Sequence, residues 1–443
     1  MKTVKFDFGK TIGKIKPMNS VGQPPLDGVS TEFFKYLKDA NMTYSRLHDV
    51  GGWFGGNMFV DVPNIFRDFN ADVNDPSSYD FTFTDILIKG ITDADCEPIF
   101  RLGVTIENFA AIKSYRLDPP ADYDKWARIC EHIIRHYREG WADGFYYDIT
   151  YWEIWNEPDN EPEPDVNPMW TGSAEDYYRL YTTASKYLKS CFGDSIKIGG
   201  YASCGFYKLF HNPEEYGFDA KLKIEPSRPK QDIYSMEFFH GFMKYIKKEN
   251  APIDFFSWHC YGAAYIMEIM ADYLDSQLTY YGYDGIETML NEWNPVFDYN
   301  KVGTSEACAK TAAVLCTMQN KKTDILCYYD ARIKGGLYGG LFNSYTQKPF
   351  CTYYPFLVFG EMLKIGNQTE CDYEHEDGFY ALAAAGDGEN IAMLVNSSEK
   401  DMQINTNIAG ASVYLIDEDN FYKISDLKSD EFVLKAYQVA VIK

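Results

Sequence analysis

Two glutamates stand at the ends of apolar, aromatic-rich runs of the sequence. Glu157 ends a run that contains two tryptophans and is followed by Pro158, and Glu292 ends an apolar run and is followed by Trp293. Neighbouring indole rings should partly desolvate the carboxyl group of Glu157, which raises its pKa and lets it hold a proton near neutral pH. Glu157 is therefore predicted to be a proton donor.

The hydrolysis of a glycosidic bond requires a pair of carboxyl groups. One carboxylic acid protonates the leaving oxygen, and one carboxylate attacks the anomeric carbon. Either motif alone also fits a strand that merely ends in an acidic residue, but two such motifs can face each other across a barrel. The pair Glu157 and Glu292 therefore indicates a retaining glycosidase, whose carboxyl groups should lie roughly 5–5.5 Å apart.

Short β-rich runs alternate with amphipathic helical patterns through most of the chain. The runs predicted as barrel strands are residues 17–21, 43–48, 98–102, 151–155, 196–200, 255–259, 287–291 and 324–328. Apolar residues at helical spacing fill the intervals, as in 125–138, 174–191 and 305–318. This alternation predicts an α/β fold, a (β/α)8 TIM barrel over residues 15–350. A doubly wound open sheet is the alternative, but no Gly-rich phosphate turn follows the first strand.

The chain changes character after residue 350. Short alternating runs at 379–383, 391–396, 412–416 and 432–442 are separated by Gly, Asn and Asp turns. This pattern predicts a C-terminal antiparallel β-sandwich domain over residues 351–443. Thr3–Phe8 alternates in the same way, so the N-terminal segment 1–14 is a candidate extra strand of that domain.

Active sites of such barrels lie where the strands end, which places Glu157 on the fourth strand and Glu292 on the seventh. With Asn156 and Pro158 beside Glu157, this arrangement resembles a clan of barrel glycosidases. Within that clan the chain resembles glycoside hydrolase family thirty-nine, which contains β-xylosidases and α-L-iduronidases. Segments 46–48, 79–85 and 254–259 also resemble that family, and the likeness covers roughly residues 15–360.

The resemblance implies roles for particular residues. Glu157 corresponds to the acid/base and Glu292 to the nucleophile of a double displacement. Asn156 would form a hydrogen bond with the 2-hydroxyl of the sugar, a contact that strengthens in the transition state. His48 and His259 would bind the sugar or hold the nucleophile in place.

Further residues are candidates for lining the site. Arg46 would keep Glu292 ionised by direct charge pairing, although an internal salt bridge is the alternative. His259 could equally be a core histidine with satisfied hydrogen bonds. Tyr261, Trp293 and Tyr329 follow predicted strand ends and are expected to line the site.

The charge and the termini limit the partners and the location. A formal net charge of −23 argues against nucleic acid or an acidic membrane surface as a partner and favours a neutral or cationic substrate. The glycosidase interpretation makes a glycoside or oligosaccharide the expected partner. No run reaches the length of a membrane span, and the N-terminus lacks the apolar segment of an export signal. The ten cysteines form no C-x-x-C pair and are expected to be reduced. These features predict a cytoplasmic protein, and they leave open a removed signal peptide and self-association.

The predicted chemistry needs no metal and no organic cofactor. His132 and His136 have the i, i+4 spacing of a metal pair, but no third ligand accompanies them, and no metal site is predicted. The acidic loop 161–165 close behind Glu157 is either a solvated loop or a wall of the cleft.

The sequence also narrows the substrate. An iduronidase must hold the carboxylate of its sugar, but residues 260–264 contain no Lys or Arg, and Lys334 is the candidate cation from another loop. A neutral sugar is therefore predicted, first a β-xyloside, then an arabinoside or glucoside. A transglycosylase with the same residues and a non-catalytic carbohydrate-binding barrel are the alternatives.

Overall fold

A closed barrel of eight parallel strands forms the larger part of the structure. The computed structural model describes residues 2–28, 30–50, 60–105, 117–217, 228–333, 338–374 and 378–443. After an N-terminal strand β1 (Lys2–Lys14), the barrel strands are β2 (Ser20–Val21), β3 (Tyr44–Leu47), β4 (Glu97–Leu102), β5 (Tyr151–Ile154), β6 (Lys197–Ser203), β7 (Phe255–Tyr261), β8 (Glu287–Asn294) and β9 (Ile325–Tyr328). The predicted (β/α)8 barrel is confirmed.

The barrel strands differ from their predicted bounds mainly at their ends. The first strand, β2, has only two residues, whereas β6, β7 and β8 each run two or three residues beyond the predicted ends. The extension of β7 and β8 matters for the site, because it brings Tyr261 and Glu292 inside regular strands.

The helices surround the barrel. Their bounds in the described residues are α1 (Lys35–Asp39), α2 (Val62–Ile65), α3 (Thr82–Asp93), α4 (Tyr123–Glu139), α5 (Ala174–Phe192), α6 (Pro229–Glu249), α7 (Ala264–Tyr281), α8 (Ser305–Gln319) and α9 (Tyr354–Ile365). Local sequence explains several ends. In α5, Ser173 and Asp176 form a capping box, and α4 ends at Gly140, whose φ is +74°. No helix of the described residues is long and apolar enough to cross a membrane.

The barrel interior changes from apolar to polar toward the ends of the strands. Ile99, Tyr151 and Met289 belong to an apolar layer inside the barrel. Side chains two residues further along a strand point to the same face, one layer higher. The corresponding residues are Arg101, Glu153 and Asn291, all fully buried. The strands therefore present charged and hydrogen-bonding groups to the mouth.

A second sheet of nine strands follows the barrel. Its strands are β1, β10 (Asn367–Tyr373), β11 (Phe379–Gly386), β12 (Glu389–Asn396), β13 (Met402–Thr406), β14 (Val413–Ile416), β15 (Lys423–Ser425), β16 (Glu431–Leu434) and β17 (Gln438–Ile442). The order is β15-β14-β17-β12-β11-β10-β1-β13-β16, and β1 pairs antiparallel with β10 and parallel with β13. The predicted antiparallel β domain after the barrel is confirmed.

The two faces of this sheet have different partners. Ala381 on β11 packs in one core with Phe432 from the far edge, so the sheet curls around its own interior. The alternate residue Leu382 belongs instead to the large core of the barrel. Phe356 of α9 also packs on the barrel, against Tyr328. The division of the chain at residues 350 and 351 stays a prediction.

Candidate active site

The backbone turns sharply between the end of β5 and Glu157. Trp155 has φ +74° and Glu157 has φ +43°, both in the left-handed region that non-glycine residues rarely adopt. The amide of Glu157 donates to the carbonyl oxygens of Tyr201 and Ala202 in β6. The side chain of Trp155 turns outward, where its ring lies 5.0 Å from that of Trp170. Strained backbone of this kind is typical of functional sites, and here it positions the carboxyl group of Glu157 at the mouth.

The surroundings of Glu157 differ from those that the sequence predicted. Burial favours the neutral acid, but His259 Nδ1 lies 2.6 Å from one carboxylate oxygen and Asn160 Nδ2 donates to the other at 2.7 Å. These contacts outweigh desolvation and hold the pKa of Glu157 below its usual range. The predicted rise in the pKa of Glu157 is wrong, because the carboxyl group is desolvated as expected but the hydrogen bonds and charge that His259 and Asn160 bring to it have the larger combined effect.

Glu292 lies in β8 and is surrounded by donors. Arg46 Nη1 donates to Oε1 at 2.7 Å, and the Tyr261 hydroxyl donates to Oε2 at 2.7 Å. His259 Nδ1 lies 3.5 Å from the same Oε2. Burial raises the pKa of Glu292, while the charges of His259 and Arg46 oppose that rise. The two cations therefore favour the ionised form that a nucleophile needs.

The two carboxyl groups face each other with His259 beside both. One oxygen of Glu157, one of Glu292 and a ring nitrogen of His259 all lie within 4.8 Å of one another. Retaining glycosidases hold their carboxyl groups about 5–5.5 Å apart, and inverting ones about 6.5–9.5 Å. Three such atoms could also ligate a metal ion. Each carboxylate already accepts hydrogen bonds from protein donors, however, so we interpret the group as a hydrogen-bonded cluster.

Arg46 organises the layer below the cavity. Its side chain is fully buried and donates to Glu153 at 2.7 Å and to Asn156 at 2.6 Å, in addition to Glu292. Asn291 donates to the remaining oxygen of Glu153 at 2.5 Å. Arg46 is thus both the predicted partner of Glu292 and part of an internal salt bridge. The side-chain oxygen of Asn156 accepts from this guanidinium, and the predicted hydrogen bond from Asn156 to the 2-hydroxyl of a sugar stays a prediction.

His48 and Tyr329 lie together on the cavity wall. His48 Nε2 is 4.0 Å from Glu292 and 3.2 Å from Asp49. The Tyr329 hydroxyl donates to Asp49 at 2.7 Å and accepts from Gln23 at 3.0 Å. Asp49 therefore joins the two predicted residues, although the sequence analysis did not select it.

Trp293 does not line the site. The side chain is fully buried, and its ring packs 5.1 Å from that of Tyr328 and 6.2 Å from that of Phe356. The register of β8 shifts between Leu290 and Trp293, so Asn291 and Glu292 both face the interior and the next residue, Trp293, points into the helical layer. The prediction that Trp293 lines the site is wrong for this reason.

An open cavity of about 720 Å³ lies at the mouth of the barrel. Predicted residues on its wall are His48, Glu157, Tyr261, Glu292 and Tyr329. Residues that the sequence analysis missed include Asp49, Asn160, His211, Arg228, Gln231, Asp232, Arg332 and Tyr338. Asp49 and Asn160 are close in sequence to residues that were selected, which is a usable signal. Glu161 of the acidic loop also lies on the wall, and Lys334 lies outside the described residues.

The two histidines of α4 have partners within the helical layer. His132 Nδ1 contacts the carbonyl oxygen of Arg128 at 2.8 Å, and His136 Nε2 contacts Asp85 at 3.0 Å. The ring of His136 also stacks on Phe81 at 3.6 Å. These contacts give both residues a structural role in packing.

Known proteins resemble this chain, in sequence over part of its length and in structure over all of it. A β-xylosidase from Caldicellulosiruptor saccharolyticus is 22% identical over 332 residues, which cover 63% of this chain and 62% of that protein, less than two thirds of its length. The structure of a glucosidase from Croceicoccus marinus matches with a TM-score of 0.74 at 18% identity, covering 100% of this chain and 98% of that one. A family 39 β-xylosidase from Caulobacter crescentus matches with a TM-score of 0.66 at 15% identity, covering 100% and 99%.

The structural likenesses have low identity and show the fold alone. The sequence model of glycosyl hydrolases family 39 matches residues 29–302, more than half of the chain and a span that includes both Glu157 and Glu292. The chain therefore belongs to glycosyl hydrolases family 39.

Proposed function

We propose that the protein is a retaining glycoside hydrolase that releases a terminal neutral sugar, and that a β-xyloside is its substrate. The single observation that carries the proposal is the approach of the two carboxyl groups. One oxygen of Glu157 and one of Glu292 lie within 4.8 Å of each other at the mouth of the barrel. This spacing supports attack by one carboxylate while the other side chain protonates the leaving oxygen.

The reaction proceeds in two displacements. Glu292 attacks the anomeric carbon, the glycosidic bond breaks, and the leaving oxygen takes a proton from Glu157. A water molecule then gives its proton to Glu157 and attacks the anomeric carbon, which releases the sugar and restores Glu292. Arg46 and Tyr261 donate to Glu292, so they stabilise it as a carboxylate before attack and after release.

The proton of the first step is shared by Glu157 and His259. The pKa of His259 is raised by Glu292 and Glu157 despite the opposing effect of burial, while contacts with His259 and Asn160 lower the pKa of Glu157. Titrating groups this close lose their protons as a pair. We infer that the proton held between Glu157 Oε1 and His259 Nδ1, which lie 2.6 Å apart, is the proton that reaches the leaving oxygen.

The charges around the cavity favour a neutral sugar. Arg332 lies on the cavity wall but is bound to the buried Asp330, with Nε at 2.7 Å from its carboxylate. Arg228 is paired with Glu161 in the same way. With these cations paired and Asp49 also on the wall, a uronate would bring another carboxylate into an acidic cavity. The similarity to a β-xylosidase supports a xyloside as the first choice, with an arabinoside or a glucoside next.

The test is turnover on a panel of p-nitrophenyl glycosides. We expect the β-xyloside to be cleaved faster than the arabinoside, glucoside and glucuronide. NMR identifies the anomer of the sugar that is released first. A retaining enzyme should release the β anomer. Cleavage of the glucuronide in preference to the xyloside would contradict the neutral-sugar proposal. Product analysis in the presence of an added alcohol distinguishes hydrolysis from transglycosylation. A transglycosylase would form mainly the alkyl glycoside, whereas a hydrolase would release mainly the free sugar.

A further inference from the structure

We propose that a groove between the barrel and the β domain is a second carbohydrate-binding site, separate from the catalytic cavity, and that it takes a neutral oligosaccharide chain. This junction groove has a volume of about 810 Å³. Its walls are residues 263–265 and Lys310 on the barrel side, and Tyr380, residues 397–403 and Tyr437 on the side of the β domain. The choice of a xylan as the source of the chain rests on the proposed function.

The junction groove lies beside the catalytic cavity without being part of it. Among the residues that the structure describes, the two cavities have no wall residue in common. They are nevertheless close along the chain, since Tyr261 at the end of β7 borders the catalytic cavity and Ala263 borders the junction groove. The connection between β7 and α7 therefore leads from one cavity to the other.

Tyrosines stand on both walls of the junction groove. Tyr265 at the start of α7 is 40% exposed, and Tyr380 and Tyr437 are half-buried on the opposite wall. A tyrosine offers an apolar ring face and a hydroxyl at its edge. A pyranose ring has a matching combination, because its C–H groups form an apolar face and its hydroxyls lie around the rim. The two walls therefore suit a sugar chain that lies between them.

The charges of the junction groove favour a neutral ligand. Lys310 donates to Glu306 at 2.5 Å, and Asp401 accepts from a backbone amide at 2.9 Å. Glu399 and Lys400 are adjacent and opposite in sign, so the wall has no single strong charge that would attract an ion. The serine and glutamine side chains of the same loop can both donate and accept hydrogen bonds, as sugar hydroxyls require.

The loop between β12 and β13 is held in place by the protein itself. Asn396 is fully buried, and its Nδ2 donates to the carbonyl oxygens of Lys400 and Lys435, each at 2.8 Å. Its Oδ1 accepts from the hydroxyl of Ser398 at 2.8 Å, and the amide of Tyr437 donates to the carbonyl oxygen of Ser398 at 3.1 Å. Tyr437 has φ +53°, a left-handed conformation that is typical of functional sites in residues other than glycine. A wall fixed in this way loses little conformational freedom when a ligand binds.

A second site would affect polymers and not small glycosides. A chain held in the junction groove keeps its end at a high local concentration near the mouth of the barrel. An aryl xyloside is too short to occupy both cavities. Its turnover should therefore be independent of the groove, which makes the two roles separable by experiment.

The experiment measures retention of the protein by a polysaccharide in affinity electrophoresis. Glu292→Ala is the background, because it should not consume the ligand, and neutral arabinoxylan is the probe. We expect Tyr265→Ala and Tyr437→Ala each to raise the Kd roughly fivefold to tenfold, the effect of one lost aromatic contact. Tyr280→Ala is the matched control, since Tyr280 lies on the same helix as Tyr265, is 75% exposed and is not part of the groove wall.

Each outcome decides the inference. Weaker retention of both variants, with an unchanged Tm and an unchanged Tyr280→Ala control, supports the second site. Equal retention of all variants overturns it, and so does retention by anionic polygalacturonate in place of arabinoxylan. If Tyr437→Ala lowers the Tm, Tyr265→Ala decides alone, because alanine at an exposed helix position preserves the helix.

Turnover separates this inference from the proposed function. In the chain that retains Glu292, Tyr265→Ala should leave kcat/KM on p-nitrophenyl β-xyloside unchanged. A loss there would place Tyr265 in the catalytic site and overturn the separation of the two sites. A wild type that cleaves no glycoside would contradict the proposed function, whereas the binding measurement would still decide the second site.

Discussion

His259 Nδ1 lies 2.6 Å from Oε1 of Glu157 and 3.5 Å from Oε2 of Glu292. One imidazole therefore influences the ionisation of both carboxyl groups: burial raises the pKa of each, and the positive charge of His259 opposes that rise, which it outweighs with its hydrogen bond only at Glu157. From the sequence, His259 is expected to bind the sugar or to hold the nucleophile in place. The shorter contact is with Glu157, the proposed acid, so His259 influences when Glu157 holds or releases its proton.

Replacement of His259 should change the pH dependence in a defined direction. In His259→Gln the charge that favours ionised Glu292 is lost, so the pKa of Glu292 rises further. Because attack requires ionised Glu292, the acidic limb of kcat/KM should move to higher pH. His48→Gln is the comparison, with a smaller expected shift because its Nε2 is 4.0 Å from Glu292. An acidic limb that stays in place in His259→Gln would count against this role.

The two glutamates should respond differently to the leaving group. Glu157→Ala should lower turnover of alkyl xylosides by a factor of about 100 or more, in the range of lost acid–base catalysis, and should affect the first step on dinitrophenyl xyloside far less. Activated leaving groups need little protonation. Glu292→Ala should abolish turnover of both while the Tm stays close to that of the wild type. Pre-steady-state rates on the two substrates provide the measurement, and equal losses in Glu157→Ala would exclude it as the acid.

Arg46 should be essential for both stability and activity. Arg46→Met removes the cation that the buried Glu153 and Glu292 share, and breaking a buried pair from one side typically costs about 3–5 kcal/mol. Urea unfolding at pH 7 measures this loss. Arg46→Lys keeps the charge but not the planar fork, so it should have an intermediate stability. If Arg46→Met lowered the free energy of unfolding by less than about 1 kcal/mol, which is what an exposed ion pair typically contributes, the two carboxylates would have found other partners.

Asp159 should make the protein less stable as the pH rises. Burial raises its pKa to about 7, from 3.8 for the free side chain, although Ser203 and Cys204 donate to it. The folded protein therefore binds a proton that the unfolded chain has lost between these values, and this contribution to stability falls as pH increases through that window. Asp159→Asn cannot titrate. The free energy of unfolding of the variant relative to the wild type should improve from pH 5 to pH 8, and parallel pH dependences would refute the assignment.

The positions of the proposed catalytic pair could be predicted from the sequence because they follow from strand periodicity. Apolar runs of about five residues identified the barrel strands, and the ends of β5 and β8 brought Glu157 and Glu292 to the mouth. Side-chain direction at those ends was harder to predict. Trp155 turns outward through a left-handed backbone, and Trp293 points outward because the register of β8 shifts beside Glu292. Neither feature has a marker in the local sequence.

Contacts between distant segments were beyond the sequence pattern. Gln231 reaches Asn160 across more than seventy positions, and Tyr329 reaches Asp49 across the barrel. Such pairs arise from the closure of the barrel and not from local spacing. The pKa of Glu157 was predicted in the wrong direction for the same reason, since His259 arrives from another strand.

The central claim is that Glu292 forms a covalent bond with the sugar while Glu157 supplies the proton. Incubation with a 2-deoxy-2-fluoro-xylosyl fluoride slows the second displacement and traps the first product. Mass spectrometry of the intact protein should then show one added fluoroxylosyl group, and peptide mapping should locate it on Glu292, with no adduct in Glu292→Ala. An enzyme that cleaves xylosides but forms no adduct, or forms it on another residue, would contradict the account.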